Sequence, residues 1–237
     1  MGFESEYFSK HFYFFDRVTG HIRPNFITFG RIDLYLSPFR NTQLSSMKRI
    51  ANFISISGHP LLTFPLFIMI ALYGKEDFSR ASLISFLIIG CFIIPVIAWM
   101  YFKSRNGSYT NFDVSDKKQR RSLFVFAIPL LLIVTILLFA THQSTNLCIS
   151  VLFALILLII SQITNYFIKS SLHVSLNIYL AALIFISNYK LGIIVLLYTG
   201  LIAWSRIKLG RHTLIEVLSG SIIGILMGFM ILVLEKY

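Results

Sequence analysis

Lys117-Lys118-Gln119-Arg120-Arg121 runs directly into Ser122–Ala140, so that residues 117–140 read KKQRRSLFVFAIPLLLIVTILLFA. Four cations in five residues stop abruptly, and none of the next nineteen residues is charged. A stretch of that length fits the hydrocarbon core of a bilayer as one helix. In lipid every backbone N–H and C=O has to bond within its own segment. Six further apolar runs follow the same pattern, at about 57–74, 81–102, 146–168, 173–187, 191–204 and 213–234. The seven together predict an all-α fold, a polytopic integral membrane helical bundle with six or seven spans. The runs 173–187 and 191–204 are shorter than the roughly 20 residues of a full span. Their helices are expected to continue into the polar residues at either end.

Composition supports this reading. Charged residues make up 13% of the chain and hydrophobic ones 56%, where a soluble domain carries about 25% charged residues. Cys91 and Cys148 both lie inside apolar runs, and no CxxC pattern exists, so neither a disulfide framework nor a cysteine metal site is expected. The net charge of +11 fits basic loops against anionic headgroups. No basic–aromatic interleaving suggests nucleic acid, and membrane lipids are the expected surroundings. The apolar runs start near residue 56, so no N-terminal segment reads as a signal peptide. Residues 1–56 are studded with aromatics and bases, among them Tyr7, Phe8, Phe12, Arg17 and Arg23. They are expected to lie along the membrane surface. The chain thus divides into 1–56, an interfacial segment, and 57–237, the transmembrane part.

The connections alternate in character. Gly74–Asp77, Thr141–Thr145 and Asn188–Lys190 are short and turn-like. Residues 1–56, 103–121, 169–172 and 205–212 hold nearly all the charge. If each pair of spans goes out and returns, those four segments share one membrane face. They carry 17 Lys and Arg against 4 on the other side, which places the charged face in the cytoplasm of a cell or inner membrane.

Three polar stretches meet on that face: Asn111–Arg121, Lys169-Ser170-Ser171-Leu172-His173, and Trp204–Val217. In the last, His212 and Glu216 are four apart, one turn on the same side of a helix. The carboxylate can accept from one ring nitrogen and leave the other as a base or nucleophile. Gly210 marks a helix break, and the helix start after it favours an anion. Arg206 offers a planar fork suited to phosphate. Ser171 can donate to a phosphate oxygen or cap a helix. Two histidines with several cations and few carboxylates describe a phosphate site. Ser57-Gly58-His59-Pro60 lies earlier in the chain and reads as the start of the first span, with Pro60 in its first turn.

These residues resemble the type 2 phosphatidic acid phosphatases, a membrane branch of the vanadium-haloperoxidase-like superfamily. That family's third motif is S-R-x5-H-x3-D, and the chain has Ser205, Arg206, His212 and Glu216 in that spacing, with Glu for Asp. Its second motif, P-S-G-H, is matched by Ser171 and His173, with Leu172 where the family has Gly. Its first motif, K-x6-R-P, aligns with Asp113, Arg120 and Arg121, with an acid in place of the Lys. The resemblance covers residues from about 103 to 237. It implies metal-independent phosphoryl transfer with no cofactor. His212 would be the nucleophile that forms a phosphohistidine, His173 the acid, and Glu216 the partner of His212. Arg206, Arg120 and Ser171 would bind phosphate, and Lys117 or Lys118 would supply the charge that Asp113 does not. The expected substrate is a lipid phosphate or prenyl diphosphate. A lipid phosphotransferase or head-group transferase using the same His pair, and an inactive scaffold or transporter, are the alternatives. A prenyltransferase would need a second Asp-rich cluster for magnesium, and the chain has none.

Overall fold

Helix starts follow capping side chains. Asp116 Oδ1 accepts from the N–H groups of Lys118 (2.9 Å) and Gln119 (3.0 Å) and so begins the helix Lys117–Ala140. Asn188 Oδ1 accepts from Leu191 N (3.2 Å) at the start of Tyr189–Lys208. Asp77 does the same for the helix beginning at Phe78. A computed structural model describes residues 46–73, 76–110, 114 and 116–234. Residues 1–45 of the expected interfacial segment, and Asp113, lie outside the described residues.

The elements are α1 (Ser46–Ser57), α2 (Pro60–Tyr73), α3 (Phe78–Arg105), α4 (Lys117–Ala140), α5 (Thr145–Phe167), α6 (Leu172–Ser187), α7 (Tyr189–Lys208) and α8 (Leu214–Leu234). Among the described residues there is no strand. Each of the seven apolar runs is helical over most of its described residues. Five helices, α3, α4, α5, α7 and α8, are long and apolar enough to cross a membrane, and α1 with α2 makes a sixth if the pair counts as one bent span. That bend corrects the expected first span. Instead of starting at Ser57, the chain is already helical from Ser46, and the axis turns by 48° between Ser57 and Pro60. Inside α3, Phe86–Ile93 is a π-helical stretch, a wider winding often found near functional sites.

Of the two short runs, 191–204 extends at both ends to give the 20-residue α7. The run 173–187 gains only Leu172, so α6 has 16 residues. Its length is tolerated because α6 is the central helix, in contact with α2, α5, α7 and α8. Val174, Ser175, Asn177, Tyr179, Leu180 and Ala181 on it are all buried. A helix walled in by protein does not need to match the bilayer.

Glycines set the packing of α8 on α6. A Cβ on Gly220 would come within 2.5 Å of the Ser171 carbonyl oxygen, and one on Gly224 within 2.6 Å of the Ser175 carbonyl oxygen. Gly228, one turn on, faces Ala182. Small residues at i, i+4 and i+8 allow two backbones to touch, which is how helices gain dispersion contacts where lipid offers no hydrophobic drive. This close approach brings the start of α6 to the start of α8.

Candidate functional site

The charged ends predicted to share a face do meet. Lys169 Nζ donates to the Arg211 carbonyl (2.9 Å), and the Ser171 N–H donates to the Glu216 carbonyl (3.0 Å). Asn165 Nδ2 donates to the Lys117 carbonyl (3.3 Å), which joins the end of α5 to the start of α4.

His212 sits between α7 and α8. Gly210 takes φ +66°, in the left-handed region that glycine enters without a steric penalty. The next two N–H groups, of Arg211 and His212, turn back to the Arg206 carbonyl (3.0 and 3.3 Å). His212 Nδ1 lies 3.0 Å from Glu216 Oε2, the oxygen that also accepts from Thr213 N (3.0 Å). A neutral ring therefore donates from Nδ1 and keeps its lone pair on Nε2. Lys169 Nζ stands 3.7 Å from the same carboxylate oxygen. Burial, then the charges of Arg206, Arg120 and Lys169, hold His212 well below its ordinary value, against a weaker opposing effect of the Lys169 backbone. The ring is thus kept uncharged.

His173 begins α6 and is buried, as are Arg206 at the end of α7 and Arg120 in the first turn of α4. Arg206 donates to Ser55 Oγ (3.0 Å) on α1, and Arg120 lies over the Phe124 ring. His173, His212, Arg120 and Arg206 all line one cavity of about 360 Å³, in the size range of small-ligand sites. Its remaining walls are almost wholly apolar: Phe64, Phe67, Phe92, Leu131, Leu158 and Leu183 are among them. It follows one face of α6 from Leu172 to Ser187, a rise of about 22 Å at 1.5 Å per residue. The site is therefore a small cationic, imidazole-bearing mouth on a long greasy chamber.

Not every predicted site residue reaches this mouth. Lys117 Nζ is turned to the carbonyls that end α5, Tyr166 (2.9 Å) and Phe167 (3.4 Å), where it caps the helix. Lys118 and Arg121 border a different, shallow surface pocket with Trp99, and Arg121 lies over the Tyr166 ring at 4.8 Å. The cause is helical geometry: on α4, the face that carries Arg120 inward turns its neighbours outward. Ser171 does not line the cavity. It is fully buried, and its hydroxyl has no hydrogen-bond partner among the described residues.

Sequence reasoning passed over several residues that the fold brings here. His59 lines the cavity, and its ring meets that of His173. Ser55, Asn177 and Lys169 bond the polar stretches to one another. Gly220, Gly224 and Gly228 at helical spacing were a legible sign of close helix contact, whereas the Ser57-Gly58-His59 triplet reads in the chain as a span start. Among the described residues no three or more His, Cys, Asp and Glu side chains gather as a metal ion would need.

Comparison with protein-family models, with curated proteins and with solved structures gives no match to this chain.

Proposed function

We propose that the chain is a membrane phosphatase that hydrolyses a lipid phosphate or prenyl diphosphate without a metal, and that it belongs with the type 2 phosphatidic acid phosphatases. The observation that carries this reading is a carboxylate-paired His212 and a second histidine, His173, lining one cavity with Arg120 and Arg206, while the rest of that cavity is apolar. Phosphoryl transfer asks a protein mainly for positioning and for positive charge around the phosphoryl oxygens. A polar head with a hydrocarbon tail matches both parts of the cavity.

In the first half-reaction, His212 Nε2 attacks phosphorus, the P–O bond to the lipid breaks, and His173 gives its proton to the leaving oxygen. Arg120 and Arg206 balance the charge on the phosphoryl oxygens. Glu216 accepts from Nδ1 and steadies the ring as it becomes cationic. In the second half-reaction, water gives a proton to His173 and its oxygen to phosphorus. The P–N bond breaks, and phosphate leaves with both histidines restored. Six or seven spans and a cytoplasmic site face belong to the same reading.

Phosphate release from phosphatidic acid and undecaprenyl diphosphate by the detergent-purified protein, in the presence of EDTA, tests it. Activity is expected with EDTA, falling to background in His212→Ala and by about 10²- to 10⁴-fold in His173→Ala. Absence of release from these and related lipid phosphates refutes the reading. Labelling of a cysteine at position 108 from the cytoplasmic side alone checks the orientation.

A further inference from the structure

The break between α1 and α2 is built against the site. Asn177 Nδ2 donates to the Gly58 carbonyl (2.9 Å) and also to the His173 carbonyl (2.7 Å). Asn177 is one turn beyond His173 on α6, so one buried amide ties the break to the turn that carries His173. Ser55 Oγ accepts from Arg206 (3.0 Å), and the hydroxyls of Ser57 and Tyr198 are 2.6 Å apart. The segment just before His59 is thereby fixed to both α6 and α7.

His59 then places its ring edge-to-face against that of His173, with centroids 4.6 Å apart and planes at 83°. The N–H of Leu61 donates to His59 Nδ1 (3.2 Å), so the neutral ring carries its proton on Nε2. Both rings line the cavity. A helix break that only redirected the chain would need the glycine and proline beside it, not an imidazole. An ionisable ring beside an apolar span is a functional-site candidate.

We infer that His59 is a positioning residue of the phosphate site, which orients the His173 ring toward the leaving group. As an acid, His173 has to hold a proton in a cavity that also contains two guanidinium groups. The His59 ring, held edge-to-face against it, fixes the direction in which that proton is offered. This role rests on the phosphatase reading above.

Two esters separate it from a packing role. A long-chain alkyl phosphate needs its leaving oxygen protonated, whereas the nitrophenolate of p-nitrophenyl phosphate departs without help. His59→Phe keeps a ring of similar shape, and His59→Gln keeps a polar group. Both are expected to lose about tenfold in kcat on the alkyl ester, as supporting residues do, with KM unchanged. On the nitrophenyl ester the loss stays within about twofold. Equal losses on both esters, a change confined to KM, or no loss overturns the inference.

A readout free of turnover keeps the two readings apart. Diethyl pyrocarbonate modification of each histidine is measured by mass spectrometry with and without inorganic phosphate. Protection of both His59 and His212 puts His59 at the phosphate site and, with the ester difference above, supports the inference; with no ester hydrolysed, the phosphatase reading falls and the positioning role falls with it. Protection of His212 alone overturns the role of His59 and leaves the phosphatase reading standing. Protection of neither overturns both.

Discussion

The two sides of α6 are built in opposite ways. Toward α8 it meets glycines, and the backbones approach until a single Cβ would not fit. On another side it lines a cavity together with Phe64 of α2, Leu131 of α4 and Leu158 of α5. The tight side joins the turn carrying His173 to the turn carrying His212. The open side leaves an apolar chamber. The smallest residues are what remove the space between two helices. One central helix thus packs backbone to backbone on one face and walls a chamber on another.

The largest effect is expected from filling the tight side. Gly220→Val places carbon against the Ser171 backbone, which has no side-chain freedom with which to yield. It should cost about 3 kcal/mol, seen as a lowered unfolding midpoint in detergent together with lost turnover. Gly200→Ala, where nothing lies within 4 Å of the new Cβ, leaves both unchanged. Equal behaviour of the two variants would break the contrast between the two sides.

Filling the open side should act on the substrate instead. Ala154 lines the cavity, and Ala154→Phe is expected to raise KM about tenfold for a long-chain lipid phosphate. The same change should stay within about twofold for a short water-soluble ester, since pocket occupancy is worth about 1–3 kcal/mol. A KM that rises equally for both would show that the chamber does not hold the tail.

The pH dependence of stability probes the tight side more gently. In the folded protein His212 is held neutral, while in the unfolded chain it takes up a proton as pH falls through about 6.5. The unfolded state then binds more protons, so stability is lost as the pH drops below that value. His212→Gln removes this contribution. Between about pH 7.5 and about pH 5 the wild-type midpoint should therefore fall further than that of the variant, by about 2–4 °C for each kcal/mol involved. Parallel curves would mean that Glu216 and Lys169 balance the imidazole in both charge states.

The smallest effects belong to Lys117, Lys118 and Arg121. They face outward, so Ala at each should change kcat/KM by less than about twofold, as rim charges generally do. A larger loss at Lys118 would move the phosphate toward the surface pocket beside Trp99.

Much of this was legible in the chain itself. Runs such as Ser122–Ala140 dictate helices because lipid offers the backbone no other partner. The spacing of Arg206, His212 and Glu216 is local, but the pair does not share a helical turn as expected: His212 precedes α8, and Glu216 in the first turn of α8 reaches back to it. The alternation of short turns with charged connections carries the meeting of three polar stretches at one end. What the sequence could not disclose lies in contacts between distant segments. Which of Lys117, Lys118, Arg120 and Arg121 turns inward depends on the rotation of α4 about its axis, and packing sets that rotation. His59 stands more than a hundred residues from His173, and in the chain its triplet reads as an ordinary span start. Only the bend between α1 and α2, held by Asn177 and Ser55, brings that ring to the site. Local spacing determines what a helix presents, whereas the close approach of helices determines which presented groups share one cavity.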